Sequence, residues 1–328
     1  MLELKKYGRQ GLKLPRLDIG LDLSGPFASH VFISHGHADH VPRDRRMTVY
    51  ATAPTAAIMK ARGFTGDVIT LPFYEKLELP TAKVQFFPAG HILGSAMTYI
   101  QSDYGNVLYT GDYCNPPSPA TEGFELPESV DYLITEATFN LPIYKWLSHE
   151  YLFKQLQSFA REALNEDHTP VFLCYNLGKA QEVMHALSPL GLPVQVHNGG
   201  ITLSAIYEQY GVDLGNYETY RQDTVHKGIL ITPASTLENS MVQNIRRKKT
   251  AYVSGWASRE SCRAQLNVDA LIPLSDHIDF FSLIDLCKKL NPKHVFITHT
   301  PNAEVVRYYL TNAGIASTDL HQEDGYDD

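Results

Sequence analysis

With only four cysteines in 328 residues and no C-x-x-C pair, the chain has little basis for a disulfide framework or a thiolate zinc site. Cys114, Cys174, Cys262 and Cys287 are widely spaced, and free thiols in a reducing compartment suit them best. No run approaches the roughly 20 apolar residues of a membrane helix, and the first residues lack the apolar core of a signal peptide. A cytoplasmic address without a membrane partner is therefore expected. Basic charge is also scarce. Lys and Arg total 28 against 36 Asp and Glu, a net charge of −8, which counts against non-specific attraction to nucleic acid. It does not exclude such a substrate, because two divalent cations would add about four positive charges locally. Internal repeats and low-complexity segments are absent. What is present, 44% hydrophobic and 20% charged residues, suffices for a sizeable core and favours two domains over one.

Up to about residue 140 the pattern is of short strands and turns: Val31-Phe-Ile-Ser, Lys83-Val-Gln-Phe-Phe, Ala96-Met-Thr-Tyr-Ile-Gln and Asn106-Val-Leu-Tyr-Thr, with a hairpin turn at Ser102-Asp-Tyr-Gly-Asn. From about residue 146 amphipathic helices alternate with the apolar strands Val171-Phe-Leu-Cys-Tyr, Val194-Gln-Val, Gly228-Ile-Leu-Ile-Thr and Thr250-Ala-Tyr-Val-Ser, which suggests a parallel α/β unit. After about residue 265 polar motifs return, followed by the strand Lys293-His-Val-Phe-Ile-Thr. The acidic tail Gln322-Glu-Asp-Gly-Tyr-Asp-Asp is expected to fray.

The densest chemical signal is His35-Gly-His-Ala-Asp-His40, directly after the first of these strands. Alternate residues on extended chain point the same way, so His35 and His37 can converge on one ion. Asp39 and His40 are adjacent and can serve a second ion only if the backbone turns there. Small Gly36 and Ala38 leave room for that turn. A lone histidine is more often a core or surface residue, but four ligand-type residues within this short segment have few structural explanations. His91 and Asp112, both at strand ends, are further ligand candidates. A carboxylate can bridge two cations through its two oxygens, which suits Asp112 to a pair of metals about 3.5 to 4 Å apart.

His35-x-His-x-Asp-His40, His91, and Asp112 in Tyr-Thr-Gly-Asp together resemble the metallo-β-lactamase superfamily. The resemblance implies that Asp22, in Leu21-Asp22, supports the metal loop. Three later features resemble the β-CASP branch of nucleic-acid-processing enzymes: Glu136 in Thr-Glu-Ala-Thr-Phe, His277 in Pro-Leu-Ser-Asp-His, and His299 in Phe-Ile-Thr-His. A carboxylate such as Glu136 on one nitrogen of His277 would fix its tautomer and favour the imidazolium, suited to donating to a phosphate or leaving oxygen. His299 would complete the second metal's shell with Asp39, His40 and Asp112; the alternative is that His277 does so.

In the stretch where that branch carries its cap, Tyr175-Asn-Leu-Gly-Lys-Ala-Gln-Glu182 follows a strand and opens a helix. Gly178 and Lys179 at a helix start suit phosphate oxygens, and Ser275 is assigned to the same substrate site. Arg43, Arg45 and Arg46, just after the metal motif, are placed to touch a substrate strand, whereas Arg246-Arg-Lys-Lys249 reads as a solvated loop. The segments Pro88-Ala-Gly-His-Ile-Leu-Gly-Ser-Ala-Met and Val253-Ser-Gly-Trp are similar to those of bacterial DNA-ligase-associated exonucleases within the branch. A departure is Tyr113-Cys-Asn-Pro-Pro, where those proteins carry basic residues.

The resemblance implies an α/β chain with a four-layer αββα metallo-β-lactamase core, residues 1–145 and 264–328, and an inserted α/β β-CASP cap, residues 146–263, with the active site in the cleft between. It implies a two-metal nuclease with zinc or manganese as cofactor, with Asp39, Glu136 and His277 in catalysis. A DNA exonuclease of repair or end processing, associated with a DNA ligase, is favoured. An RNA-processing nuclease is the alternative, since His299 is the residue more usual in RNA-acting members. A small-molecule metallo-hydrolase leaves the cap and the Glu136–His277 pair unexplained, and a non-catalytic module would have lost ligands.

Overall fold

The computed structural model describes residues 2–320 apart from 9 and 45; Arg45 and the acidic tail 322–328 lie outside the described residues. The chain divides into two compact units, the first running through Pro117, over Thr121–Lys145 and from His277 onward, the second comprising Ser118–Ala120 and Trp146–Asp276.

In the first unit two sheets form among the described residues. One orders its strands consecutively: Lys5–Tyr7, Gly11–Leu14, Ile19–Leu21, His30–Phe32, Val49–Ala51 and Val68–Thr70. The other runs Ser317–Asp319, His294–Thr298, Tyr132–Glu136, Gly105–Tyr109, Ala96–Ser102, Lys83–Pro88 and Leu77–Glu78. Successive strand residues face opposite sides, and the burial follows that alternation. Leu12, Leu14, Phe32, Phe86, Val107 and Tyr109 fill one cluster shared by both sheets. Leu108, Leu133, Val295 and Ile297 face the other way, against Phe280, Leu283 and Ile284 of the helix Phe280–Leu290 and Val306 and Leu310 of the helix Glu304–Asn312. Val31, Ile33 and Val49 pack against Met59 of the helix Ala53–Ala61. The layers are thus helix, sheet, sheet, helix.

Ala53–Ala61 is a helix inside a region that reads as strands and turns. Its signals are short but real: the Thr52 side chain accepts the Thr55 N–H as N-cap, and a proline stands in the first turn.

Strand direction in the second sheet sets the site. Lys83–Pro88 and Gly105–Tyr109 are each antiparallel to Ala96–Ser102, so they run the same way. Tyr132–Glu136 is parallel to Gly105–Tyr109 and to His294–Thr298. Four strands therefore end on one rim, and the next residues of interest are His91, Asp112, Glu136 and His299.

In the second unit the strands are all parallel, in the order Tyr217–Thr219, Val194–Val196, Ile229–Thr232, Thr169–Leu173, Lys248–Val253, Ala270–Ile272. Thr169–Leu173 is buried along its whole length, as a central parallel strand is. The helix His149–Asn165, capped by Ser148, buries Leu152, Leu156, Ala160 and Ala163, one face at helical spacing. Ala270–Ile272 pairs with Lys248–Val253 and extends this sheet. The unit consequently runs to Asp276, beyond the return to the core expected at residue 264. The polar run after residue 265 hid one more strand. No helix among the described residues is long and apolar enough to cross a membrane, and all four cysteines are free.

Candidate metal centre

The motif His35 to His40 leaves its strand through a tight passage. A Cβ at Gly36 would lie 2.4 Å from Ile58 Cγ2, so only glycine lets the chain pass the helix Ala53–Ala61 here. The backbone then turns: the N–H groups of His40 and Val41 both donate to the His37 carbonyl, at 3.1 and 3.2 Å. This turn gives Asp39 and His40 a direction different from that of His35 and His37. Asp112 is reached through Gly111, whose φ is +55° and where a Cβ would meet Ser34 Cβ at 2.5 Å.

Two groups of ligand-type atoms result. His35, His37, His91 and Asp112 each offer one within 4.8 Å of the others, and so do Asp39, His40 and His299. In the first, His37 Nδ1 lies 3.0 Å from His35 Nε2 and 3.1 Å from His91 Nε2. Asp112 adjoins both groups: its Oδ2 is 3.6 Å from His35 Nε2 and 3.4 Å from His40 Nε2, and its Oδ1 is 3.5 Å from His299 Nδ1. His299 has φ +49°, a left-handed conformation uncommon for a residue with a side chain.

These groups are underprovided with protein partners. Among the described residues His40 Nε2, Asp112 Oδ1 and both ring nitrogens of His299 are buried without a hydrogen-bond partner. A buried polar atom left so costs about 1–3 kcal/mol, and several converging on one region is the signature of a ligand set rather than a core. The residues present fit two divalent cations, with nitrogen and oxygen donors only.

Other residues hold these candidate ligands. Asp22, itself left-handed at φ +49°, accepts from Ser34 N at 2.7 Å, Ser34 Oγ at 2.6 Å, Tyr109 Oη at 2.8 Å and His40 Nδ1 at 2.7 Å. With Nδ1–H given to Asp22, Nε2 is the ring atom left for a cation to take in place of a proton. Gln10 Nε2 donates to Asp39 Oδ2 at 3.0 Å. Ser34, Tyr109 and Gln10 escape sequence reasoning. Ser34 and Tyr109 have only their place beside the motifs to mark them, and Gln10 has no local signal at all.

The electrostatics divide the histidines. Burial, with His40 nearby, holds His35 well below the ordinary imidazole range. His40 is buried too, but the Asp112 and Asp22 carboxylates outweigh that and raise it well above. Burial lowers His299 against the pull of Asp112. For Asp112, burial favours the neutral acid, yet His40 and His299 hold it well below the usual carboxylate range. Burial and Asp22 push the Tyr109 hydroxyl well up, so it remains a donor.

Beside the ligand groups, His277 Nδ1 is 2.9 Å from both Glu136 oxygens. Glu136 is fully buried and also accepts from Tyr113 N at 2.9 Å and Thr138 Oγ1 at 2.5 Å. The rings of His277 and His91 are 4.7 Å apart.

Lys179, Gly178 and Ser275 belong to the second unit. Lys179 opens the helix Lys179–Leu187, after Gly178 at φ +86°. Its ammonium is buried, 2.5 Å from Glu182 Oε2 and 3.7 Å from Asp276 Oδ1. His149 Nε2 stands 3.4 Å from the other Glu182 oxygen. The Gly178 N–H donates to Gln181 Oε1 at 2.8 Å, and Ser275 is buried. Arg46 is exposed and pairs with Asp44 at 3.2 Å. Arg247 and Lys249 pair with Asp167 and Glu166 at 2.5 and 2.6 Å.

No protein-family model matches the chain. Over 88% of its length it is 32% identical to a probable DNA ligase of Opitutus terrae, of which the match takes 28%. Over 55% it is 27% identical to an RNase J-like protein of Methanocaldococcus jannaschii, covering 50% of that protein. Over 53% it is 28% identical to cleavage and polyadenylation specificity factor subunit 3 of Dictyostelium discoideum, covering 26%. The match therefore spans between a quarter and a half of each of these relatives.

Proposed function

The chain belongs to the metallo-β-lactamase superfamily, in its β-CASP branch, and from that premise we infer that it hydrolyses phosphodiester bonds in nucleic acid with two divalent cations. The observation that supports this best is the pair of ligand groups adjoining Asp112, with the Glu136–His277 pair beside them. His35, His37, His91 and Asp112 would hold one cation; Asp39, His40, Asp112 and His299 would hold the other. Zinc and manganese both suit such a donor set. Divalent cations there would supply Lewis acidity, activating water and neutralising charge on the phosphate.

The chain's own residues do the rest. Asp22 fixes the tautomer of His40, with Ser34 and Tyr109 fixing Asp22 in turn. Glu136, accepting from His277 Nδ1, orients the ring so that Nε2 handles the proton. That atom would donate to a phosphate or leaving oxygen. Asp39 would orient the attacking water. A small-molecule hydrolase needs the same cations but gives Glu136 and His277 nothing to do.

DNA is the favoured substrate, with exonucleolytic end processing in the cytoplasm beside a DNA ligase, because a relative matched over 88% of this chain is named a probable DNA ligase. RNA is the second reading, supported by the RNase J-like relative and by His299. End-labelled single- and double-stranded DNA and RNA, incubated with zinc or manganese and resolved by length, test both. Shortening of labelled DNA is expected. Cleavage of RNA alone would transfer the assignment to RNA, and cleavage of neither would end it.

A further inference from the structure

Gln10 lies far from every motif, in the turn between strands Lys5–Tyr7 and Gly11–Leu14. It is only 5% exposed. Its amide reaches a carboxylate from another part of the chain, Nε2 donating to Asp39 Oδ2 at 3.0 Å. The orientation follows from chemistry: a carboxylate only accepts, so the atom facing it is the NH₂. The carbonyl end, Oε1, is buried and has no hydrogen-bond partner among the described residues. The amide is committed to Asp39.

Asp39 is an exposed side chain, unlike His40, which is clamped by Asp22 at 2.7 Å. An exposed carboxylate rotates freely and must be ordered when it ligates, at a cost in rotamer freedom. A rigid, buried donor on one oxygen removes that freedom and leaves the other oxygen for an ion. We propose that Gln10 is a positioning residue, holding Asp39 ready for the second cation. The inference rests on the reading above that Asp39 serves that cation.

The test is Mn²⁺ titrated into metal-stripped protein by calorimetry, with bound ions counted by elemental analysis, for Gln10→Met, Gln10→Asn and Asp39→Asn. Methionine keeps the length without the donor; asparagine keeps the donor one methylene short. Both Gln10 variants are expected to weaken the second ion about 10- to 100-fold while the first binds unchanged and the melting temperature holds. A melting temperature that falls with both affinities intact would make Gln10 merely structural and overturn the proposal. So would loss of the second ion in Asp39→Asn with no change in either Gln10 variant. Retention of full second-ion affinity in Asp39→Asn would instead overturn the reading of Asp39, and the role of Gln10 with it.

Discussion

In the first unit the His37 ring nitrogen lies within 3.0–3.1 Å of those of His35 and His91, whereas in the second unit Lys179 turns its ammonium to a carboxylate at 2.5 Å. Both clusters are buried and both are built of ionisable groups. The first gathers lone pairs and leaves atoms of His40, Asp112 and His299 unpartnered. The second alternates sign: Lys179 lies between Glu182 and Asp276, and His149 adds a partner to Glu182. A cluster of like donors is what a cation would complete, while a cluster of alternating charge is largely complete in itself. Residue type alone does not separate a site from a brace; the sign of what each group faces does.

The difference is sharpest when the missing partner is withheld. Chelation is expected to abolish nuclease activity and leave the Lys179 cluster intact, and Asp112→Asn should disturb both ions because it removes the charge adjoining both groups. Elemental analysis showing at most one ion per chain in fully active protein would break the two-cation reading. Next in size is His277→Ala. With His299 available to the second ion, the variant should keep both ions and lose about 10²- to 10⁴-fold in kcat. If it loses an ion while His299→Ala keeps two, the two histidines exchange roles.

Lys179→Met probes the other cluster. It leaves the buried Glu182 with His149 alone, and removing one partner of a buried pair typically costs about 3–5 kcal/mol, read by chemical denaturation. If Lys179 also releases Glu182 to hold a substrate phosphate, the log–log salt dependence of nucleic-acid binding should flatten by about one unit. An unchanged slope would leave Lys179 a brace alone. The smallest effect is in acid. Burial pushes the Glu182 carboxyl up, but Lys179 and His149 outweigh it and the net direction is down from 4.5. A lowered carboxylate stabilises the fold fully above its unfolded value, and that stability is lost as pH falls through the folded value. The advantage of the native chain over Glu182→Gln should therefore be full at pH 7 and shrink below about pH 4.5. An advantage that does not change with pH would sink it.

The dense histidine segment was legible because its ligand-type residues are neighbours in sequence. His91 and Asp112 were legible as strand ends that follow apolar runs, whereas Glu136 and His299 were picked out by the resemblance of their motifs. Gln10, Ser34 and Tyr109 were not, because they act through space on residues far along the chain. The helix start at Lys179 was read correctly, but Asp276 and His149 come from distant segments, and nothing local ties them to it. The helix Ala53–Ala61 was missed because it stands among short strands with only its Thr52 cap and a first-turn proline to mark it. The strand Ala270–Ile272 was missed because only Ile272 of its three residues is buried.

The backbone at His299 carries a consequence for variation. A left-handed residue costs about 1–2 kcal/mol unless it is glycine, and asparagine, aspartate and histidine bear it better than β-branched side chains. Residue 299 is joined to the neighbouring motif, since Ala137 N–H donates to the carbonyls of Thr298 and His299 at 3.1 and 3.3 Å, and Thr298 is the register partner of Glu136. A valine at 299 would have to redraw this turn, and the redrawn turn would tug on the strand end that carries Glu136. A β-branched residue at 299 is therefore expected to shift the strand end of Glu136 as well, and with it the carboxylate that accepts from His277 Nδ1.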